Sequence, residues 1–164
     1  MRLIELLEKP VVHVTSGRIL GRVVKAHLDE GALRLCGITL QDEGWGKRQR
    51  YLAFEELVLI GQVSVLALPR AHARPARGIA LTGSRVLSMN GQLLGWVQDF
   101  AFDPRYGAVQ ALKVSRGVLD DLIRGRQWVY EFSTLPRPDG LCVLAAEPPD
   151  KSAETGKEVN PDEA

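Results

Sequence analysis

The chain has 164 residues, 45% apolar and 25% charged, with a formal net charge of +1; these shares are ordinary for a globular protein. The charge is uneven, because from Glu147 on six acids face two lysines, leaving −4 there and +5 in the rest. That is well short of the basic footprint of a dedicated nucleic-acid binder. Two cysteines, Cys36 and Cys142, are too few for a disulfide framework, and the longest apolar run, Leu57 to Leu68, is too short to span a bilayer.

Leu3, Leu6 and Leu7 recur at helical spacing before Pro10, which predicts one or two turns of helix over Arg2 to Lys9, lidding the first half. Glu5 interrupts any apolar h-region, so no signal peptide is read and the chain is expected to be cytoplasmic, with reduced thiols. Val11 to Val14 is a short β run, and Thr15-Ser16-Gly17 a hairpin turn into a long strand, Ile19 to Leu28. Asp29-Glu30-Gly31 closes the next turn with residues that hydrogen-bond their own backbone, and Leu33 to Leu40 returns as a third strand. A polar tip, Gly44 to Arg50, leads to a fourth strand, Tyr51 to Phe54. A tight turn at Phe54 to Leu57 precedes the closing strand, Val63 to Leu68.

The same order then recurs. A shift of 74 positions lays Val12, Gly17, Leu20, Gly21, Val23 and Asp29 on Val86, Gly91, Leu94, Gly95, Val97 and Asp103, six identities in eighteen aligned positions. Chance gives about one, so the chain holds an internal repeat. The second copy reads as a turn at Met89-Asn90-Gly91, strands Leu93 to Phe102 and Ala108 to Val114, a fourth strand Trp128 to Phe132, a turn Phe132 to Leu135, and a closing strand Leu141 to Ala145. Apolar parity in Leu93 to Phe102 switches from odd to even positions, which predicts a β-bulge near Gln98. In place of the polar tip, Gly117 to Gly125 carries Val118, Leu119, Leu122 and Ile123 on one helical face. The boundaries follow: 1–69 first repeat, 70–79 a stiff linker with Arg70, Arg74 and Arg77, 80–147 second repeat, and 148–164 an acidic tail expected to be disordered.

Leu-x-Lys-Pro-Val-Val at Leu7 to Val12, then Ser16-Gly17-x-x-Leu20-Gly21-x-Val23 and Asp29, resembles the start of a PRC-barrel domain. So do Tyr51 to Leu57 and Ile60-Gly61, which look like its last strands. That small β-barrel is shared by the cytoplasmic part of the photosynthetic reaction-centre H subunit, the C-terminal half of a bacterial ribosome maturation factor, and many short bacterial proteins. The matches run from Met1 to Glu147, and the chain is most similar to stand-alone tandem PRC-barrel proteins. The resemblance implies an all-β fold of two small antiparallel PRC-type β-barrels in tandem with short helical turns. The residues that carry it are structural, so it brings no catalytic or binding position with it.

Residue chemistry points outward. His13, His27 and His72 lie at no metal-ligand spacing and read as surface or strand-edge histidines, and Cys36 and Cys142 as strand thiols. Neither a catalytic constellation nor a cofactor or metal set is read, and small barrels fill their interiors with side chains, so no small-molecule cavity is expected. The candidate partner-binding residues are Trp45, Lys47, Arg48 and Arg50 on the polar tip, with Asp120, Asp121, Arg124, Arg126 and Trp128 around the second-copy insertion. The expected function is that of a non-enzymatic adaptor docking another protein or a second copy of itself, without membrane insertion. The alternative is a ribosome- or RNA-associated factor using the basic tip and linker arginines.

Overall fold

The computed structural model describes residues 1–44, 47–70, 76–117, 127–137 and 140–145. Trp45, Asp120, Asp121, Arg124, Arg126, residues 71–75 of the linker and the tail from 148 lie outside the described residues. Among the described residues a short helix, α1 (Leu3–Leu6), precedes twelve strands. The first six are β1 (Pro10–His13), β2 (Ile19–Leu28), β3 (Leu35–Gln41), β4 (Gln49–Ala53), β5 (Leu57–Ile60) and β6 (Val65–Ala67), with a 3₁₀ turn at Phe54–Glu56. The second six are β7 (Arg85–Ser88), β8 (Leu93–Phe102), β9 (Val109–Ser115), β10 (Gln127–Val129), β11 (Phe132–Arg137) and β12 (Gly140–Ala145). They form two six-stranded sheets of the same order, β4-β3-β2-β1-β6-β5 and β10-β9-β8-β7-β12-β11. Each curls into a half-barrel, so the protein is all-β, built twice.

Several expectations need correcting. β1 pairs with β6, and β7 with β12, in parallel, so the sheets are not wholly antiparallel. Each half has one more strand than expected. Leu57–Ile60 follows the 3₁₀ turn as an edge strand, and Phe132–Arg137, whose first four residues to Leu135 read as a turn, is the matching edge strand. The repeat also slips by one residue at its start. Gly21 pairs with Val11, whereas its counterpart Gly95 pairs with Val86, so Val11 and not Val12 is the equivalent of Val86. The reason is turn length: Gly17 N–H closes on His13 O, but Gly91 N–H closes on Ser88 O, one residue tighter.

Other local readings hold. The β8–β9 register breaks between Val97 and Asp99, leaving Gln98 as the extra residue, and the β2–β3 register breaks between Val23 and Lys25. Asp29 Oδ1 accepts from Gly31 and Ala32 N–H, and Asp103 Oδ1 from Arg105 and Tyr106 N–H. Both aspartates therefore shape turns, as their type predicts.

The halves meet as equivalents. Arg34 forms an antiparallel bridge with Ala108, its own counterpart 74 residues on. Leu35 N–H donates to Gly107 O at 2.8 Å, and Val109 N–H to Leu33 O at 3.0 Å. A residue that meets its own counterpart between exchanged bonds is the mark of a twofold relation. The leading segments obey the same symmetry. Phe102 exchanges backbone bonds with Met1 at 2.8 and 3.0 Å, while its counterpart Leu28 exchanges bonds with Ile79 at 3.0 and 2.9 Å. Each segment then returns to its own half, through Glu8 and Lys9 on Val23, and through Gly83 and Ser84 on Val97.

Helix α1 occupies the extra residues of the first crossing. It does not simply lid the first half: Arg2 bridges to Ala101, and Ile4 N–H donates to Asp99 Oδ1 at 3.3 Å, both on β8. Leu3 and Leu6 are buried in a hydrophobic cluster that runs through both halves, including Leu28, Ile38 and Leu40 on one side and Phe100, Phe102, Leu112 and Val143 on the other. No helix among the described residues is long and apolar enough to cross a membrane.

Candidate functional site

The polar tip is a mixed rather than a basic surface. Lys47 takes a positive φ of 42° at the turn, and Asp42 N–H donates to Arg48 O to close the hairpin. Lys47 and Arg48 are exposed. Arg50 sits across from Leu40, half-buried, with its Nε buried and without a hydrogen-bond acceptor. It faces a cleft of about 620 Å³ shared with His13, Arg18, Asp42 and Glu43. Glu43 in turn pairs with Arg22 Nε at 2.9 Å. Of the linker arginines among the described residues, Arg77 lies beside Cys36, at the opposite end of the β3–β4 hairpin from this cluster, and Arg70 N–H is held by Glu56 Oε1. Trp128 is half-buried on β10 of the other sheet, opposite Lys113, whose Nζ stands 5.8 Å from the indole centroid.

A second depression, about 830 Å³, is lined by Asp29, Cys36, Tyr51, Glu55, Arg77 and Ile79 among others. The sequence puts Gly37 beneath Tyr51, where a side chain would collide with the phenol. Tyr51 Oη donates to Cys36 O at 2.9 Å, and Cys36 Sγ donates toward His27 O and Arg77 O. The sequence suggests a surface or strand-edge histidine, but His27 is buried; its ring meets Tyr51 edge-on at 5.3 Å and its Nε2 lies 2.7 Å from Thr39 Oγ1. Burial pushes the Cys36 thiol up, and burial with the Lys25 charge lowers His27. At neutral pH this gives a thiol and a neutral imidazole, each already hydrogen-bonded: a packing cluster, not an activated nucleophile.

Tyr51 gives a pH test. Burial first, then the neighbouring Cys36, push its phenol up to about 12 from 10.0. The unfolded chain therefore releases this proton before the folded one, so the contribution is intact below pH 10 and is lost as pH rises from 10 to about 12. Titration of phenolate absorbance should show one tyrosine ionising late, and Tyr51→Phe should remove that late step and flatten the alkaline loss of stability. A wild-type curve with all tyrosines titrating together would contradict this.

The feature that sequence reading missed is on the outer faces of the sheets. Val12 is in register with Ile19 on one side and Leu66 on the other, and Leu66 with Leu59. Residues in register share a face, so Ile19, Val12, Leu66 and Leu59 form one apolar row across β2, β1, β6 and β5. The neighbouring inward row, Gly21, Val11, Val65 and Ile60, is buried. The outer row is open: Ile19 is 57% and Leu59 55% exposed, with Val14 and Leu68 exposed beside it. The second half repeats the row as Leu93, Leu87, Leu144 and Ser133, again with Leu93 half-exposed and only the edge position polar. A sheet packed on one face ordinarily turns polar side chains to the other. Single exposed apolar residues need no explanation, whereas a contiguous row marks an interaction surface.

No family model matches the chain, and no curated protein matches it.

Proposed function

We propose that the chain is a non-enzymatic adaptor of the tandem PRC-barrel kind, docking a macromolecular partner through the outer faces of its two sheets. The outer apolar row carries this reading, because it recurs at equivalent positions in both halves where water should select polar residues. The barrel likeness is supported by the paired features that the repeat encodes: Gly21 and Gly95 at the same crossing, the bulges after Val23 and Val97, and the Asp29 and Asp103 turns. The RNA-associated reading has less support. Asp42 and Glu43 interleave with the basic tip, and Arg77 lies at the far end of that hairpin.

The test is a paired capture from native lysate, with and without RNase. Ile19→Glu with Leu93→Glu should lower recovery of the wild-type partner by about tenfold or more, the factor that about 1.4 kcal/mol of lost contact gives. Lys47→Glu with Arg48→Glu should leave it unchanged. Capture that survives the row substitutions but disappears on RNase treatment or charge reversal would overturn the adaptor reading in favour of the nucleic-acid one.

A further inference from the structure

We propose that the cleft beside Arg50 is a small-molecule site for a carboxylate with an apolar body, and that the Arg50 guanidinium binds the carboxylate. The strand register puts this charge where an apolar side chain belongs. Val23 lies across from Leu40, and Leu40 across from Arg50, so the three share the inward face of β2, β3 and β4. Val23 and Leu40 are fully buried, and Arg50 is half-buried at the end of their row. The second half has the same row, Val97, Val114 and Gln127, with an uncharged residue in that place. This fold therefore closes without a charge there.

No group of the protein answers the charge. Among the described residues Arg50 has no ion-pair partner, and its buried Nε has no acceptor. The two acids of the cleft do not supply one: Glu43 pairs with Arg22 at 2.9 Å, and Asp42 forms no ion pair among the described residues. An unbonded buried donor costs stability, and an unpaired charge drawn partly out of water adds to that cost. A residue kept against stability, and replaced by glutamine at its twin position, marks a functional site.

The remaining walls define the ligand. At about 620 Å³ the cleft has the size of a small-molecule site. Arg18 lines it with Arg50. Arg22 cancels Glu43, and Asp42 offsets one of the two arginines, so one positive charge is left over. That balance suits a monoanion and leaves a phosphate dianion uncompensated. Ser16 N–H donates to His13 Nδ1 at 3.2 Å, which puts the ring proton on Nε2 and makes the imidazole a further donor. Ile19 and Leu20 supply apolar wall. A guanidinium presents paired N–H donors that match a planar carboxylate, and with Nε sealed the terminal Nη groups make this contact.

Titration of the full chain with hexanoate at constant ionic strength, followed by amide chemical shifts, tests this. Amides of Ile19 to Gly21 and of Arg50 should shift and saturate, while their counterparts Leu93 to Gly95 and Gln127 stay still. Arg50→Gln, which installs the residue the second half uses, should weaken hexanoate by about tenfold or more. It should also raise the melting temperature, because it removes the unanswered charge. Arg18→Gln, at an exposed position, should weaken binding without moving the melting temperature, and Lys47→Gln should change neither. Hexanol, with the same body and no charge, and inorganic phosphate should both bind more weakly than hexanoate. The proposal is overturned by absent or unsaturable shifts, by wild-type affinity in Arg50→Gln, by a lowered melting temperature in that variant, or by hexanol or phosphate binding as well as hexanoate. Capture of the macromolecular partner should be unchanged in Arg50→Gln, so this site and the outer rows stand or fall separately.

Discussion

Gly95→Ala is expected to lower the stability of the chain by about 3 kcal/mol, from a backbone conformation that disfavours a side chain and an overlap that cannot relax cheaply. Gly95 holds a φ of 139° while β8 passes between β7 and β9. A Cβ there would overlap the carbonyl oxygen of Ser115 and press on a methyl of Val114. The obstacle is backbone from an adjacent strand, so relief means parting the β8–β9 ladder. Gly21 has the same φ, 140°, and the same obstacle in the carbonyl of Gln41, so Gly21→Ala should cost a similar amount. Gly91 separates the two contributions: its φ is 81° but nothing lies within 4 Å of the site, so Gly91→Ala should cost only about 1 kcal/mol. For a chain of this length 3 kcal/mol is roughly 6–12 °C in Tm. Thermal unfolding of the three variants checks the order, and a Gly95→Ala no less stable than Gly91→Ala would show that the close approach is not what selects glycine.

That glycine pair was visible in the sequence as a repeat identity, but its reason was not. Gly17 and Gly91 announce themselves by turn chemistry, and the parity switch around Gln98 gives away the bulge, because both are local effects of neighbouring residues. Asp29 and Asp103 are legible for the same reason. The β5 and β11 strands were not, since Leu57-Val58-Leu59-Ile60 follows a turn so closely that it passes for the turn's exit, and Pro136 argues against a strand. Nothing local distinguishes a parallel β1–β6 pair from an antiparallel one, or says that Met1 will pair with Phe102 and Ile79 with Leu28. The outer row fails on the same ground: Val12 and Leu66 are unremarkable until the register of four strands puts them beside Ile19 and Leu59. Composition did expose the basic tip, but not the acids folded among its arginines.

The reciprocal crossing makes the second large effect one that should be felt in both halves. Phe102 is fully buried, its ring centroid 6.1 Å from that of Phe100, and its backbone exchanges two bonds with Met1. Phe102→Ala removes most of an aromatic side chain from a cluster shared by both sheets, and should cost about 3–5 kcal/mol. If the halves were independent, that loss would fall on the second alone, and denaturation would split into two steps. With one cluster and pairing at three places, Met1 with Phe102, Ile79 with Leu28, and Arg34 with Ala108, the variant should instead unfold in a single transition at lower denaturant. Hydrogen exchange resolves the point: amides of β2 in the first half should lose protection together with those of β8. Protection retained in β2 while β8 opens would mean that the pseudo-twofold contacts join two bodies without making them one cooperative fold.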